Sequence, residues 1–175
     1  LNGKSYTPAQ PVNLSDSQTY ALEQISELIE NPSIKTRAVL LHGVTGSGKT
    51  EVYLDAVSLC ISRGKNSLVL VPEIALTPQT IERFSSRFPG KIAVLHSGLT
   101  VGERFDQWRK IRANEYQVVI GSRSSIFAPL NNLGLIIIDE EHEWTYKQND
   151  GVPRYHARDV AMQLAGLTSA AVILG

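Results

Sequence analysis

Cysteine, net charge and long apolar runs are all scarce in this 175-residue sequence. The one cysteine, Cys60, excludes an internal disulfide and a four-cysteine zinc site within the segment, and it fits a reducing, cytoplasmic compartment. The 17 basic and 17 acidic side chains cancel, which excludes a strongly basic protein that coats nucleic acid. Any contact with DNA must therefore be local. The longest apolar runs, such as 135–138, are far too short to span a membrane.

Hydrophobic residues make up 42% of the sequence, enough for a sizeable core, and they fall in short runs separated by helical patterns. The runs are nearly continuous in Val, Ile and Leu, which is typical of strands buried on both faces of a parallel sheet. Repeated strand–helix units predict an α/β fold, with a parallel sheet of about six to seven strands and helices on both faces. The predicted strands are Ala38–His42, Leu68–Val71, Ile92–Leu95, Val118–Ile120, Leu135–Ile138 and Ala171–Leu174.

Capping signals mark the expected helix ends. The segments 15–18 and 100–103 each have the pattern of a capping box, in which a Ser or Thr is followed three residues later by Gln or Glu. Thr77 before Pro78 fits an N-cap followed by the first helical residue. Gly64 is predicted to end the helix that follows the first strand.

The most specific feature is a match to the pattern G-x-x-x-x-G-K-[ST], formed by Gly43, Val44, Thr45, Gly46, Ser47, Gly48, Lys49 and Thr50. It follows a predicted strand and precedes a predicted helix, so its backbone N–H groups are expected to cradle phosphate oxygens at a helix N-terminus. Lys49 would reach the β- and γ-phosphates, and the Thr50 hydroxyl would bind Mg²⁺. The motif predicts a nucleoside triphosphate site without choosing between a kinase, a GTPase and a motor.

An acidic cluster follows the apolar run 135–138 directly and consists of Asp139, Glu140, Glu141 and His142. Because ligands bind beyond the carboxyl ends of parallel strands, Asp139 and Glu140 are expected beside the phosphate loop. Asp139 would hold Mg²⁺, usually through water, and Glu140 would orient and deprotonate the attacking water. Two adjacent acids favour hydrolysis by water over transfer to another substrate. His142 would either couple hydrolysis to a neighbouring loop or simply bond locally.

The acidic cluster resembles the D-E-x-H signature of superfamily 2 helicases and translocases. Further segments make the sequence similar to the bacterial replication-restart helicases of the primosomal protein N-prime, or PriA, family; these segments are Leu70–Gln79, His96–Gly98, Gly121–Ser124, Phe127–Pro129, Tyr146–Gln148 and Arg154–Asp159. The resemblance covers about residues 14–175. It implies a RecA-like P-loop NTPase domain, the first lobe of an ATP-driven 3′→5′ DNA helicase that unwinds stalled or collapsed replication forks and reloads the replisome.

The resemblance also implies roles for single residues. Gln18 matches an upstream glutamine that binds adenine, and its capping role is an alternative that can coexist with this one. Thr77 lies in motif Ia, and Ser122 and Arg123 lie in motif Ib, two loops that touch the single-strand backbone in this superfamily. Arg123 would contact one phosphate. For Thr77, a purely structural role as a helix cap is an equally open interpretation.

The segment 143–151 resembles the aromatic-rich loop that links DNA occupancy to hydrolysis in such helicases. Trp144 and Tyr146 would offer flat faces for stacking bases, and Lys147 would offer charge. The alternative is that one aromatic ring packs under the loop as an anchor, and of the two Trp144 is the more expected anchor.

By resemblance, the segment is one piece of a larger protein. Residues 1–13 are interpreted as a linker from an upstream domain, and 14–175 as a lobe cut at the first residue of the next helicase motif. The intact protein would use ATP and Mg²⁺, hold zinc only outside this segment, bind single-stranded DNA and forks, and meet primosome and single-strand-binding proteins in the cytoplasm. The alternatives are a double-strand DNA translocase of the same superfamily and a nucleotide-gated DNA-binding module without turnover.

Overall fold

A computed structural model describes residues 10, 12–44, 46–148 and 152–175. Over these residues, six strands form one sheet in the order β1-β6-β5-β2-β4-β3, and every neighbouring pair is parallel. The strands are β1 Ala38–Leu40, β2 Asn66–Leu70, β3 Ile92–Leu95, β4 Val118–Gly121, β5 Leu133–Ile138 and β6 Ala171–Leu174. The predicted parallel α/β sheet is confirmed, although β1 ends at Leu40 rather than His42.

Helices connect the strands and carry the predicted caps. They are α1 Asp16–Glu30, α2 Lys49–Ser62, α3 Pro78–Arg87, α4 Val101–Arg112 and α5 Ala157–Thr168. Both capping boxes form, Thr77 caps α3, and Gly64 lies just beyond the end of α2 with a positive φ of 68°. Over the described part of the chain, no helix is both long and apolar enough to cross a membrane.

The core lies on both faces of the sheet, as the continuous apolar runs predict. Along β5, Leu135 and Ile137 belong to the cluster that packs beneath α1, α2 and α3. Ile136 and Ile138 belong to the opposite cluster, which includes Ile111 of α4 and the alanines of α5. Since successive side chains of a strand point to opposite faces, a run of isoleucines suits a strand that is covered on both sides.

A buried arginine, which the sequence patterns did not reveal, fixes one end of α1 to the sheet. Arg37 lies just before β1 and is nearly inaccessible to solvent. Its guanidinium donates to Leu28 O at 2.6 Å, to Asn31 O at 2.8 Å and to Ala170 O at 3.3 Å. Burial lowers the pKa of this side chain. The contacts join the last turn of α1 to the segment before β6, and so fix the helix that carries Gln18.

All the motif loops meet at one edge of the sheet. Because the six strands are parallel, the segments that follow β1 to β5 emerge at their common carboxyl edge. The phosphate loop follows β1 and the acidic cluster follows β5, with β6 between these two strands. The segments after β2, β3 and β4 lie on the other half of the same edge. The topology therefore divides the edge into two halves. We name the half at β1, β6 and β5 the nucleotide side, and the half at β2, β4 and β3 the second side.

Candidate functional site

The phosphate loop turns at two glycines with left-handed backbone conformations. Gly46 has a φ of 82° and Gly48, the N-cap of α2, has a φ of 84°. Glycine adopts this region without the steric penalty of a side chain, so the loop can fold back toward the helix N-terminus. Ser47 N donates to Val44 O at 3.1 Å, which closes the turn. Thr45 lies outside the described residues.

Lys49 lies between the phosphate loop and the acidic cluster. Its Nζ donates to Gly43 O at 3.0 Å and is 3.7 Å from Glu140 Oε1. The expected proximity of the two motifs is therefore present. Lys49 and Glu140 face a cavity of about 510 Å³. Gly43, Val44 and residues at the ends of β1 and β6 also line it. A phosphate group placed here would meet the ammonium group and the helix N-terminus together.

Asp139 is held by two buried tyrosines. The Tyr53 hydroxyl, on α2, donates to Asp139 Oδ1 at 3.0 Å, and the Tyr146 hydroxyl donates to Asp139 O at 2.7 Å. Both tyrosines are almost fully buried, and burial raises the pKa of each phenol. We name this arrangement the tyrosine clasp. The role of Tyr53 could not be predicted from sequence, because no motif marks that position and its partner is 86 residues away.

Burial also raises the pKa of the Asp139 carboxyl, and the negative charge of Glu140 raises it further. The hydrogen bond from Tyr53 and the charge of Lys49 act in the opposite direction, but they do not cancel the effect of burial. The carboxylate is thus kept in an environment that disfavours its own charge, as is common for functional groups. A bound cation would relieve that unfavourable environment.

The residues present fit Mg²⁺. Thr50 and Asp139 line one cavity of about 260 Å³, together with Tyr53 and with side chains of α3. A hydroxyl and a carboxylate are hard oxygen donors of the kind that Mg²⁺ prefers, and Mg²⁺ usually takes its remaining ligands from waters and substrate phosphates. The described residues contain no group of three or more His, Cys, Asp or Glu side chains able to hold a metal ion. Thr50 and Asp139 would therefore share the ion with a bound nucleotide.

Glu140 has a strained backbone and lies between Lys49 and His142. Its φ is 51°, in the left-handed region that few residues other than glycine adopt. His142 is exposed, and its Nε2 is 3.6 Å from Glu140 Oε2. Such strain is found preferentially at functional sites. The contact supports local bonding by His142, while the proposed coupling through this residue stays a prediction.

Gln18 joins α1 to the phosphate loop. Its Oε1 accepts from Ser15 N at 2.8 Å, which completes the capping box, and its Nε2 donates to Ser47 O at 3.1 Å. A Cβ at Gly48 would overlap this amide, so the glycine is needed for the close approach as well as for its φ. The capping role is therefore present, and the contact of Gln18 with adenine remains a prediction.

On the second side of the edge, a cleft of about 340 Å³ is lined by four loops, whose residues include Glu73 after β2, Ser97 after β3, Ser122 after β4 and Trp144 after β5. We name it the central cleft. Thr77 lies outside its lining and caps α3, accepting from Thr80 N at 3.2 Å. The structure thus brings motif Ib and the aromatic loop together, but it places Thr77 on a neighbouring surface.

Glu73 ties three of these loops together. Its carboxylate accepts from Ser97 N at 3.1 Å and from Ser97 Oγ at 2.7 Å, and the Ser122 hydroxyl also donates to it. Partial burial alone would raise the pKa of Glu73, but the hydrogen bonds from Ser122 and Ser97 outweigh it and lower the pKa. The group is therefore a carboxylate at neutral pH. No sequence motif pointed to this role.

Arg123 supports the aromatic loop. Its Nη1 donates to Thr145 O at 2.9 Å and to Lys147 O at 2.8 Å, and its guanidinium carbon lies 6.0 Å from the centre of the Tyr155 ring. The predicted phosphate contact stays untested, and it would have to use the other terminal nitrogen. Lys147 is exposed and pairs with His156 in an isolated antiparallel bridge that closes the loop.

The two aromatic residues of the loop have opposite environments. Tyr146 is 1% exposed and Trp144 is 76% exposed. The prediction that Tyr146 offers a ring face to bases is wrong in this structure, because its ring fills the core and its hydroxyl reaches Asp139. The expectation that Trp144 is the more probable anchor is wrong for the same reason. Trp144 is the aromatic that remains available for stacking.

A parallel sheet with a phosphate loop after β1 and an acidic pair after β5 defines a RecA-like P-loop NTPase domain. Comparison with known proteins is consistent with this class. The sequence profile of the family described as "Type III restriction enzyme, res subunit" matches residues 11–175, and the chain belongs to that family. A solved structure of RecG bound to a three-way DNA junction superposes with a TM-score of 0.66 at 25% identity, covering 94% of this chain and 21% of that chain.

The curated relatives are replication restart proteins, so the family resemblance found in the sequence is confirmed. Replication restart protein PriA of Bacillus subtilis (strain 168) is 51% identical over 172 residues, which are 98% of this chain and 21% of that protein. PriA of Synechocystis sp. is 57% identical over 137 residues, 78% of this chain and 16% of that protein. The chain spans about a fifth of the length of these relatives.

Proposed function

We propose that this chain is the ATP-binding first lobe of a 3′→5′ DNA helicase that unwinds stalled or collapsed replication forks and helps to reload the replisome. The observation that carries the proposal is the convergence of Lys49, Thr50, Asp139 and Glu140 at one sheet edge, next to a cleft that the loops after β2, β3 and β4 form with the segment that follows the two acids. The similarity to replication restart proteins supplies the biological setting. Residues 14–175 would form the lobe, and 1–13 would link it to an upstream domain.

Each catalytic residue has a chemical task. ATP with Mg²⁺ would supply the phosphoanhydride bond whose hydrolysis drives movement. The backbone N–H groups of the loop and the Lys49 ammonium would neutralise phosphate charge, and Thr50 and Asp139 would hold the ion. Glu140, 3.7 Å from Lys49, would accept a proton from the attacking water. The tyrosine clasp would keep Asp139 in place between cycles.

The lobe is expected to hydrolyse ATP slowly or not at all by itself. Closure of a second lobe would bring an arginine onto the transferred phosphate, and such an arginine contributes roughly 10³–10⁵ in rate. Robust DNA-stimulated turnover by the isolated chain would contradict this part of the proposal.

Single-stranded DNA and forks are the proposed nucleic-acid partners. The central cleft offers the exposed ring of Trp144 for base stacking and the exposed Ser124 hydroxyl for backbone contact. Primosome and single-strand-binding proteins are proposed as further partners from the family resemblance.

The test measures ATP hydrolysis by the full-length protein with and without single-stranded DNA. Wild type should be stimulated by DNA, and Lys49→Ala should lose at least about 99% of the activity because phosphate charge is left unneutralised. Fork binding should survive, since other domains would carry most of it. Lys35→Ala, which changes an exposed lysine before β1, is the matched control and should behave as wild type.

Three outcomes would redirect the proposal. Equal loss of hydrolysis and fork binding in Lys49→Ala would count against a separate nucleotide lobe. Hydrolysis and translocation without strand displacement would favour the alternative of a double-strand DNA translocase of the same superfamily. An intact site that binds nucleotide but never turns over would favour a nucleotide-gated DNA-binding module.

A further inference from the structure

A second cleft opens beside the central cleft, between α4 and the short 3₁₀ segment Arg123–Phe127. Leu95 and Ser125, both buried, form its floor, and the partly exposed rings of Trp108 and Phe127 form its walls. We name it the outer cleft. Leu95 is the last residue of β3, so the outer cleft lies at the carboxyl edge of the sheet, as the nucleotide site does. Apart from the capping box at its start, no motif of the sequence covers α4 or Trp108.

The outer cleft adjoins the central cleft and shares lining residues with it. Arg104 and Ser124 line both of them. The chain contains two tryptophans, and each borders one of the clefts: Trp144, 76% exposed, the central one, and Trp108, 37% exposed, the outer one. A single path therefore runs from one tryptophan to the other past a shared arginine and a shared hydroxyl.

The shape of the outer cleft suits one flat ring. Its volume is about 180 Å³, below the roughly 300–1,000 Å³ of pockets that enclose a drug-sized ligand. Phe127 is held edge-to-face by Tyr155, with ring centres 5.0 Å apart, so this wall is already ordered. Aromatic walls beside a charged group are the usual means by which proteins bind single strands without regard to sequence.

Arg104 is the cation available to a phosphate along this path. The other arginine of the central cleft, Arg123, directs Nη1 to two loop carbonyls. Arg104 is exposed, and the one hydrogen bond its side chain makes among the described residues is a long one, 3.5 Å, from Nη2 to His96 O. Glu73 keeps its negative charge in the central cleft, so a phosphate is favoured at the Arg104 end and disfavoured at the Glu73 end.

We propose that the outer cleft is a base-binding subsite for single-stranded DNA, in which a base stacks between Trp108 and Phe127 while Arg104 binds the adjoining phosphate. This inference rests on the proposed function and extends the nucleic-acid path onto α4. The strand would run along the carboxyl edge, from Trp144 across Arg104 to Trp108.

The test uses intrinsic fluorescence, because Trp144→Phe leaves Trp108 as the single tryptophan of the chain. Titration of this variant with an oligo-dT strand should quench the Trp108 emission. In the wild-type background, Trp108→Ala should weaken oligo-dT binding about tenfold, in line with the loss of one stacked base. Arg104→Gln should weaken it too and lower the slope of log affinity against log salt by about 1.

Phe105→Ala and Arg109→Ala are the matched controls, because both residues are exposed on α4 and neither lines the outer cleft. They should bind oligo-dT as wild type does. Trp108→Phe keeps an aromatic ring at the outer cleft and should show a smaller loss than Trp108→Ala, and thermal melting of every variant separates lost binding from lost folding.

Three results would overturn the inference. If the wild-type chain binds oligo-dT but the Trp108 emission does not change and Trp108→Ala binds as tightly as wild type, the outer cleft is not a base-binding subsite. The proposed function would stand in that case. Equal losses of oligo-dT affinity in Phe105→Ala and Trp108→Ala would place the DNA on the exposed face of α4 and not in the outer cleft. A wild-type chain that shows no DNA binding at any concentration would remove the nucleic-acid part of the proposed function, and the inference with it.

Discussion

The two halves of the carboxyl edge differ in how their side chains are held. On the nucleotide side, the key groups follow directly from local sequence: the glycines that turn the loop, the lysine at the helix start and the acids that end β5. On the second side, Glu73 and Arg123 are each bonded to another loop. Arg123 is bonded to Thr145 and Lys147, 22 and 24 residues on.

This difference explains why sequence motifs predict the roles of residues on the nucleotide side better than on the second side. A phosphate loop works mainly through its backbone, whose shape a few glycines determine, so its pattern is informative by itself. The second side works through side chains whose partners are chosen by packing. Two neighbouring aromatics, Trp144 and Tyr146, can then have opposite environments, and an arginine expected to bind a phosphate can instead support a loop.

The strongest test of this contrast compares the two aromatics of one loop. Tyr146→Ala should lower the free energy of unfolding by about 3–5 kcal/mol, because a large buried side chain leaves a cavity. Trp144→Ala should change it by no more than about 0.5 kcal/mol, since the ring is exposed. Urea unfolding of the two variants measures both values. Equal destabilisation would mean that the two rings share the anchoring role.

A second test separates two arginines of the central cleft. Arg123→Ala should lower stability by about 2 kcal/mol, because two carbonyls lose a charged donor, and hydrogen exchange should rise over residues 144–147. Arg104→Ala should leave stability nearly unchanged and reduce the salt dependence of DNA binding instead. If Arg123→Ala instead reduces the salt dependence of DNA binding and leaves stability unchanged, Arg123 is the phosphate ligand and the aromatic loop is held by other contacts.

Most of the fold could be predicted from sequence, because the signals were local. Continuous apolar runs located all six strands, and Ser15, Thr77 and Thr100 marked helix starts that the structure confirms. The buried Arg37 was missed, since its partners are backbone carbonyls up to 133 residues away and leave no pattern of residue types.

Less of the site could be predicted, for the same physical reason. The patterns located the phosphate loop and the acids, but Tyr53 and Glu73 act through contacts that only the folded sheet creates. The role of Tyr146 was misjudged because a tyrosine suits stacking and burial equally well, and the choice depends on the space beneath the loop. The positive φ of Glu140 has no sequence signal either, as this residue type seldom adopts it.

The tyrosine clasp gives a third test, on the nucleotide side. Tyr53→Phe removes the hydroxyl that donates to Asp139 and should lower stability by about 1.5 kcal/mol. Because that hydrogen bond lowers the pKa of Asp139, its loss should raise the pKa further, so Mg²⁺-dependent nucleotide binding should need a higher pH. Tyr20→Phe, at an exposed tyrosine of α1, is the control. An unchanged pH profile would show that the clasp has no influence on the carboxylate.

The smallest expected effect concerns the charge of Asp139 itself. Asp139→Asn keeps the shape and an oxygen for Tyr53 but removes a carboxylate whose charge the fold disfavours. At neutral pH the variant should be more stable than wild type by about 1 kcal/mol, although Mg²⁺-dependent nucleotide binding is lost. Asp106→Asn, which changes an exposed carboxylate of α4, should alter stability by no more than about 0.5 kcal/mol. Chemical denaturation with and without Mg²⁺–nucleotide measures both.

The dependence of this gain on pH identifies its cause. The pKa of Asp139 is raised in the folded chain, so between its ordinary value and the raised value the folded state binds more protons than the unfolded state. Wild-type stability therefore falls as pH rises through that interval, whereas the asparagine does not titrate. The advantage of Asp139→Asn should appear as pH rises and vanish at acid pH. A variant that is less stable than wild type at neutral pH would show that Tyr53 and Lys49 more than offset the burial of the charge, and that the nucleotide side, like the second side, is held mainly by contacts distant in sequence.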